Sequence, residues 1–169
     1  MDAPKLRAIQ APLKERYEKN PEEAEWILHA EGRLGDDISC SVEGDGGELE
    51  AGLHPATGGD GSLACSGDML LQALVACAGV TLKSVATAMR IDIKSGTVRA
   101  EGVLDFRGTL AVSKEAPVGF KKISLEFKLD TDAKASKLSK LLELTERYCV
   151  VYQTIKSGPI LKTELSVRG

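Results

Sequence analysis

The chain has 169 residues, a formal net charge of −3 and few aromatic side chains. That length suits one domain of ordinary size, able to bury a core without disulfide or metal staples. Charges of both signs are mixed, with no basic stripe, and there is no aromatic interleaving, so the composition argues against a nucleic-acid partner.

Residues 1–24 are polar and carry Pro4, Pro12 and Pro21. They read as an N-terminal arm, with a helical turn in "LKERYEKN" that ends at Asn20 before Pro21. The segment is charged and has no apolar stretch of signal-peptide type, so the cytoplasm is the expected compartment. A single domain is expected over 25–169. "EWILHAEGRL" alternates as a strand, Gly35-Asp36-Asp37 is a turn, and "ISCSVEG" is a second strand. "GDGG" then reads as a hairpin turn into "ELEAGLH", completing a three-strand meander.

"PATGGDGSLACSGD" is glycine-rich but lacks the Gly-Lys-Ser/Thr ending of a phosphate-binding loop, and reads as a connector. Ser66 is the expected N-cap of the next helix, with Asp68 at its positive end. "MLLQALVACAGVTLKSVATAM" predicts a helix of about 22 residues ending at Arg90. Lys83 and Arg90 with Gln72 and Ser84 mark it as a buried core helix rather than a membrane span. It is apolar on almost every face, more than one small domain covers. A second copy of the chain is the simplest cover, which predicts a homodimer built around this helix.

"GTVRAEGVLDFRGTL" and "FKKISLEFKLD" read as two long strands joined by the loop "AVSKEAPVG". "TDAKASKLSKLLELTERYC" is an amphipathic helix with Leu138, Leu141, Leu142 and Leu144 inward. "VVYQTIKSG" is a short second helix stopped by Gly158-Pro159, and "ILKTELSVRG" is a closing strand. Strands, a buried helix, more strands, then helices define an α+β class.

The cysteines are Cys40, Cys65, Cys77 and Cys149, with no CxxC pair, and His29 and His54 have no ligand spacing to any of them. No metal site and no cofactor are expected. A lone thiol in an apolar helix such as Cys77 is ordinarily packing, and burial alone makes it inert. Cys149, in contrast, stands at the start of the second C-terminal helix, where free N–H groups and the dipole favour a thiolate. Two thiols on two packed helices can meet as a disulfide. Peroxide reduction uses such a pair: one thiolate becomes a sulfenic acid and the second condenses with it. Cys40 and Cys65 read as packing or surface thiols, though Cys65 precedes a helix and competes as a nucleophile.

"LLQALVACAGVTLKSVA" followed much later by "RYCVVYQTI" resembles the OsmC/Ohr family, named for osmotically induced protein C and organic hydroperoxide resistance. The resemblance spans roughly residues 25–168. It implies an OsmC-like fold, with antiparallel sheets packed around a long buried central helix in an intertwined homodimer. It implies a peroxidase that reduces organic hydroperoxides, with Cys77 peroxidatic and Cys149 resolving, reset by an external dithiol. Gly32-Arg33 matches the family's early arginine, which holds thiolate and peroxide, a role suited to a permanently charged guanidinium. The family orients that arginine with a glutamate in an Asn-Pro-Glu segment. Here the segment is Ser66-Gly67-Asp68, so Gly67 falls at the glutamate and Asp68 is the nearest carboxylate for the task. Val150 stands where many relatives carry proline. On the helix, Leu70, Ala73, Leu74, Val80, Thr81 and Ser84 share or flank the face of Cys77, a lining suited to a hydrophobic peroxide. The alternative is a non-catalytic protein of the same fold that binds a small apolar ligand or senses redox state.

Overall fold

The N-terminal segment forms a full helix, α1, over Ala3–Lys19, where a single turn was expected. The carboxylate of Asp2 accepts the Lys5 N–H at 2.9 Å and caps it, and Pro4 occupies the first turn, where a missing N–H is harmless. Pro12 lies inside the helix, but no α1 residue is buried, so water can serve the carbonyl it orphans. The helix ends at Asn20, before a short 3-10 turn over Pro21–Ala24. The computed structural model describes residues 1–44 and 47–167.

A hairpin-based sheet follows. β1 (Gly32–Leu34) pairs antiparallel with β2 (Ser39–Gly44), and β2 with β3 (Gly47–Gly52), with Arg33 opposite Ser41 and Cys40 opposite Ala51. The hairpin turn expected at "GDGG" lies partly outside the described residues. The first strand is shorter than its sequence pattern predicts. Glu43 N–H still reaches the Glu31 carbonyl at 3.4 Å, but no strand is formed by residues 25–31. Trp26, Ile27 and Leu28 are exposed. The connector contains a short strand, β4 (Ala64–Cys65), lying parallel to β3, so this sheet is mixed, in the order β1-β2-β3-β4.

The second sheet is a two-stranded antiparallel ribbon of β5 (Ser95–Val103) and β6 (Lys122–Asp130), with Val98 opposite Phe127 and Ala100 opposite Leu125. Ile123, Leu125, Phe127 and Leu129 alternate with exposed residues, as a one-sided strand requires. The strand expected to continue to Leu110 stops at Val103. Asp105 instead caps one helical turn, α2 (Phe106–Thr109), by accepting the Arg107 N–H at 3.2 Å. The Arg107 side chain also donates to this carboxylate and holds Asp105 down to about 2. Of the expected closing strand, residues 168–169 lie outside the described residues, and residues 160–167 form no strand, with Ile160, Leu161, Leu165 and Val167 exposed. β-structure needs a neighbouring edge, and no described strand lies alongside.

Between the sheets runs the long helix α3 (Ser66–Ala88). Cys65, not Ser66, is its N-cap, and no side chain caps it. It ends two residues earlier than expected, because Arg90 turns into the left-handed region (φ 54°) and Ile91 N–H returns to the Ala86 carbonyl at 2.8 Å. Leu82 and Ala86 of α3 meet Ile91, Ile93 and Leu141 in the core, with Phe127 and Leu129 of β6 packed against them. Burial follows one stripe, Leu74, Ala78, Leu82 and Ala86, spaced at i+4. The opposite face is open, with Val80 73% exposed. One sheet and two helices cover one side of a cylinder, so a single chain leaves part of this apolar helix open, as its composition led one to expect. By length and composition α3 could also cross a membrane. In the fold it packs against β5 and the two C-terminal helices.

Candidate active site

The two C-terminal helices are α4 (Ala135–Tyr148) and α5 (Val150–Lys156), and Cys149 alone separates them. On α4 the inward residues are Leu138, Leu141 and Thr145, at helical spacing that leads directly to Cys149. Leu142, expected inward, is exposed, and Leu144 is half-buried. Cys149 has extended backbone angles (φ −75°, ψ 109°) and serves both helices. Its N–H closes α4 on the Thr145 carbonyl, and its carbonyl accepts the Gln153 N–H of α5, both at 2.9 Å. The Gln153 side chain donates to the Glu146 carbonyl at 2.7 Å and clasps the junction from outside. This geometry leaves the first N–H groups of α5 without helical partners.

Those N–H groups meet the sulfurs. Cys77, half-buried on α3, lies within hydrogen-bond reach of the Cys149 thiol. Burial pushes the Cys77 thiol up. The N–H groups of Val151 and Val150, the Cys149 thiol and the Thr81 hydroxyl outweigh it and leave Cys77 below the ordinary thiol value. Cys149 is 1% exposed and moves the other way. Burial is the main cause, and the neighbouring Cys77 adds to it, while the N–H groups of Tyr152 and Val151 oppose it. Of the two, Cys77, the more accessible, is therefore the thiol that gives up its proton more readily.

The other residues singled out in the sequence fall in different places. Thr81 touches Cys77, as a hydrogen-bond donor rather than an apolar wall. Leu70 and Leu74 line a cleft of about 670 Å³ with β6, α4 and α5, a cleft neither sulfur borders. Ala73 and Val80 face outward. Arg33 is exposed on β1 and pairs with Glu43 at 2.5 Å, so within one chain it does not act on Cys77. Asp68 is exposed and borders a separate cavity with His54, Cys65 and Phe106. A Cβ at Gly67 would lie in ordinary contact with the Phe120 ring at 3.4 Å and the Cys65 sulfur at 3.6 Å. These groups border the position where the family motif has its glutamate.

Cys40 is half-buried in β2, and Cys65 stands at the α3 N-cap. Among the described residues no three His, Cys, Asp or Glu side chains gather as a metal site. Sequence reasoning did not find the Val150 and Val151 N–H groups. The one available signal was the helix start after Cys149, and it was read as acting on Cys149 rather than on the sulfur opposite.

A family model described as OsmC-like protein matches residues 59–164. No curated protein matches the chain. Among solved structures, the chain is similar to an OsmC-like protein from Mycoplasma pneumoniae (16% identity, 79% of this chain and 90% of that one covered, TM-score 0.66). It is similar too to an organic hydroperoxide resistance protein from Elizabethkingia anophelis (15%, 79% and 91%, 0.63). A third is an OsmC-like protein of unknown function from Vibrio cholerae (17%, 77% and 94%, 0.61). At such identities the likeness speaks for the fold, while the family model, covering more than half of the residues, places the chain: it belongs to the OsmC-like protein family.

Proposed function

We propose that this chain is a cysteine-based peroxidase that reduces organic hydroperoxides to alcohols. One observation carries the reading: two thiols from different parts of the fold lie close enough to act on each other, and their proton affinities are shifted in opposite directions. In the first step the Cys77 thiolate attacks the distal oxygen of ROOH. The S–O bond forms as the O–O bond breaks, and the alkoxide takes a proton to leave as ROH. Sulfur is oxidised to the sulfenic acid. In the second step Cys149, as thiolate, attacks the Cys77 sulfur. The S–O bond breaks, hydroxide leaves as water after protonation, and a Cys77–Cys149 disulfide remains. An external dithiol then reduces the disulfide by exchange. The mostly apolar surroundings of α3 favour an organic peroxide over a hydrophilic one.

The reading includes a homodimer in the cytoplasm. The open face of α3 and the unpaired apolar segments at 26–28 and 160–167 supply surface for a second copy. Arg33 is the guanidinium assigned to thiolate and peroxide. Since it pairs with Glu43 in its own chain, that role requires it to reach Cys77 across the subunit boundary.

The second reading, a non-catalytic ligand-binding or redox-sensing protein, is favoured by Gly67 at the family's glutamate position and by the lack, among the described residues of one chain, of a cation acting on Cys77. Cumene hydroperoxide consumption driven by dithiothreitol separates the two. The peroxidase reading expects turnover that Cys77→Ser abolishes; equal rates in wild type and variant reject it.

A further inference from the structure

The cleft of about 670 Å³ lies on the β6 side of α3 and is not absorbed by the thiol chemistry, since neither Cys77 nor Cys149 lines it. Its volume is that of a small-molecule site, roughly 300–1,000 Å³. Its walls come from four elements. Leu74 on α3 is buried, and Leu125 and Phe127 on β6 are half-buried, giving an apolar floor. Phe120 closes one end: a Cβ on Gly102 would lie 2.3 Å from its ring, so glycine at that position gives the ring its seat.

The charges around this floor are lopsided. Lys121, Lys122 and Lys156 border the cleft, and among the described residues Glu146 is the one acid that does. Lys121 shares Asp105 at 3.8 Å, a distance that neutralises it weakly, and Lys156 lies 5.9 Å above the Tyr152 ring. An exposed lysine keeps its charge in water while its stem lies on apolar surface. An apolar trough with a cationic rim is complementary to an amphiphile with an anionic head.

The geometry points to a second ligand site in this cleft, for a free long-chain carboxylate whose tail lies on Leu74, Leu125 and Phe127 and whose head group meets Lys121 and Lys156. The ligand does not react, because no sulfur reaches it. The site does not rest on the peroxidase reading and survives its failure. It adjoins the redox pair through α3, which carries both Leu74 and Cys77, and through α5, which carries Cys149 at its N-cap and Lys156 at its last turn.

The test uses the full-length chain and a dansyl-labelled undecanoic acid as probe. Octanoate, decanoate, dodecanoate and dodecyltrimethylammonium compete with it below their micellar concentrations. One site per chain is expected, with Kd tightening about fourfold per added methylene until the cleft is full. Dodecanoate should compete at least tenfold better than the cationic amphiphile of equal length. The surface double variant Lys121→Glu/Lys156→Glu should lose at least tenfold for dodecanoate, and Leu125→Trp, which fills the trough, should abolish binding. Cys77→Ser should bind as wild type. Equal competition by the two amphiphiles, or loss of binding in Cys77→Ser, overturns the assignment. So does an absence of probe binding to a chain that sediments as a dimer, which would mean a second copy fills the cleft.

Discussion

Cys77 and Cys149 act on each other asymmetrically: Cys77 is lowered and Cys149 is raised relative to an ordinary thiol. The asymmetry has a structural cause. Cys149 is sealed at the α4–α5 junction, while the first N–H groups of α5 and the Thr81 hydroxyl converge on Cys77. The proposed order of events, attack by the half-exposed sulfur and resolution by the buried one, follows from that difference.

The two serine variants should therefore fail in different ways. Cys77→Ser should show no peroxide consumption above the background of the dithiol. Cys149→Ser should complete one attack and then accumulate Cys77 sulfinic and sulfonic acids, seen by mass spectrometry of the intact chain. A bridge from Cys149 to Cys65 after one equivalent of peroxide would assign the peroxidatic role to the wrong sulfur.

Alkylation by iodoacetamide reports the thiolate. Because the Cys77 value is lowered, its reactivity should rise at a pH below that of an unperturbed thiol, near 8.5. Removing the donor in Cys149→Ala should shift the inflection upward, since both the thiol hydrogen bond and its share of thiolate stabilisation are lost. An unchanged profile in that variant would mean that the contact does not polarise the pair.

Thr81→Val tests a neighbour that keeps its volume and loses its hydroxyl. A hydrogen bond to a charged group is worth about 1.5–3 kcal/mol, and Cys77 is only half-buried, so a value at the low end applies. At neutral pH the variant should alkylate Cys77 on the order of tenfold more slowly. At alkaline pH, where the thiolate forms anyway, the two rates should converge. A deficit that persists at high pH would point to misplacement of the helix instead.

Val80 lies on the open face of α3 and is 73% exposed in the single chain. If that face is covered by a second copy, a charge there must be desolvated. Val80→Glu should dissociate the dimer in sedimentation velocity while leaving the helical circular dichroism unchanged. Dimers that persist in the variant at low concentration would place the interface elsewhere.

Leu141 is 1% exposed and joins α4 to the Leu82–Ile93 core that holds the two thiol-bearing helices together. Leu141→Ala should cost about 2–5 kcal/mol, lowering Tm by roughly 5–15 °C. Leu142→Ala, on the exposed neighbour, should cost much less. Comparable losses would mean that the α4 face seen here is not the one that packs.

Read from the chain alone, periodicity and breakers located α3, α4, α5, β2, β3 and β6, because helix and strand patterns are local and the caps and glycines stand beside them. The same reading overran strands at 25–31, 104–110 and 160–167 and understated α1. Where a strand ends depends on whether a partner edge is present, and a proline inside a helix is better tolerated where water can serve the carbonyl it orphans. Cys149 stood out at a helix start, whereas Cys77 in its apolar helix read as packing until it was paired with Cys149 and the family motifs. Their contact, its polarity and the N–H groups that create it belong to the tertiary structure, because the path of one helix past another is set by packing and not by spacing. The same holds for Arg33, whose place in sequence suggests a thiolate partner and whose place in the fold gives it Glu43.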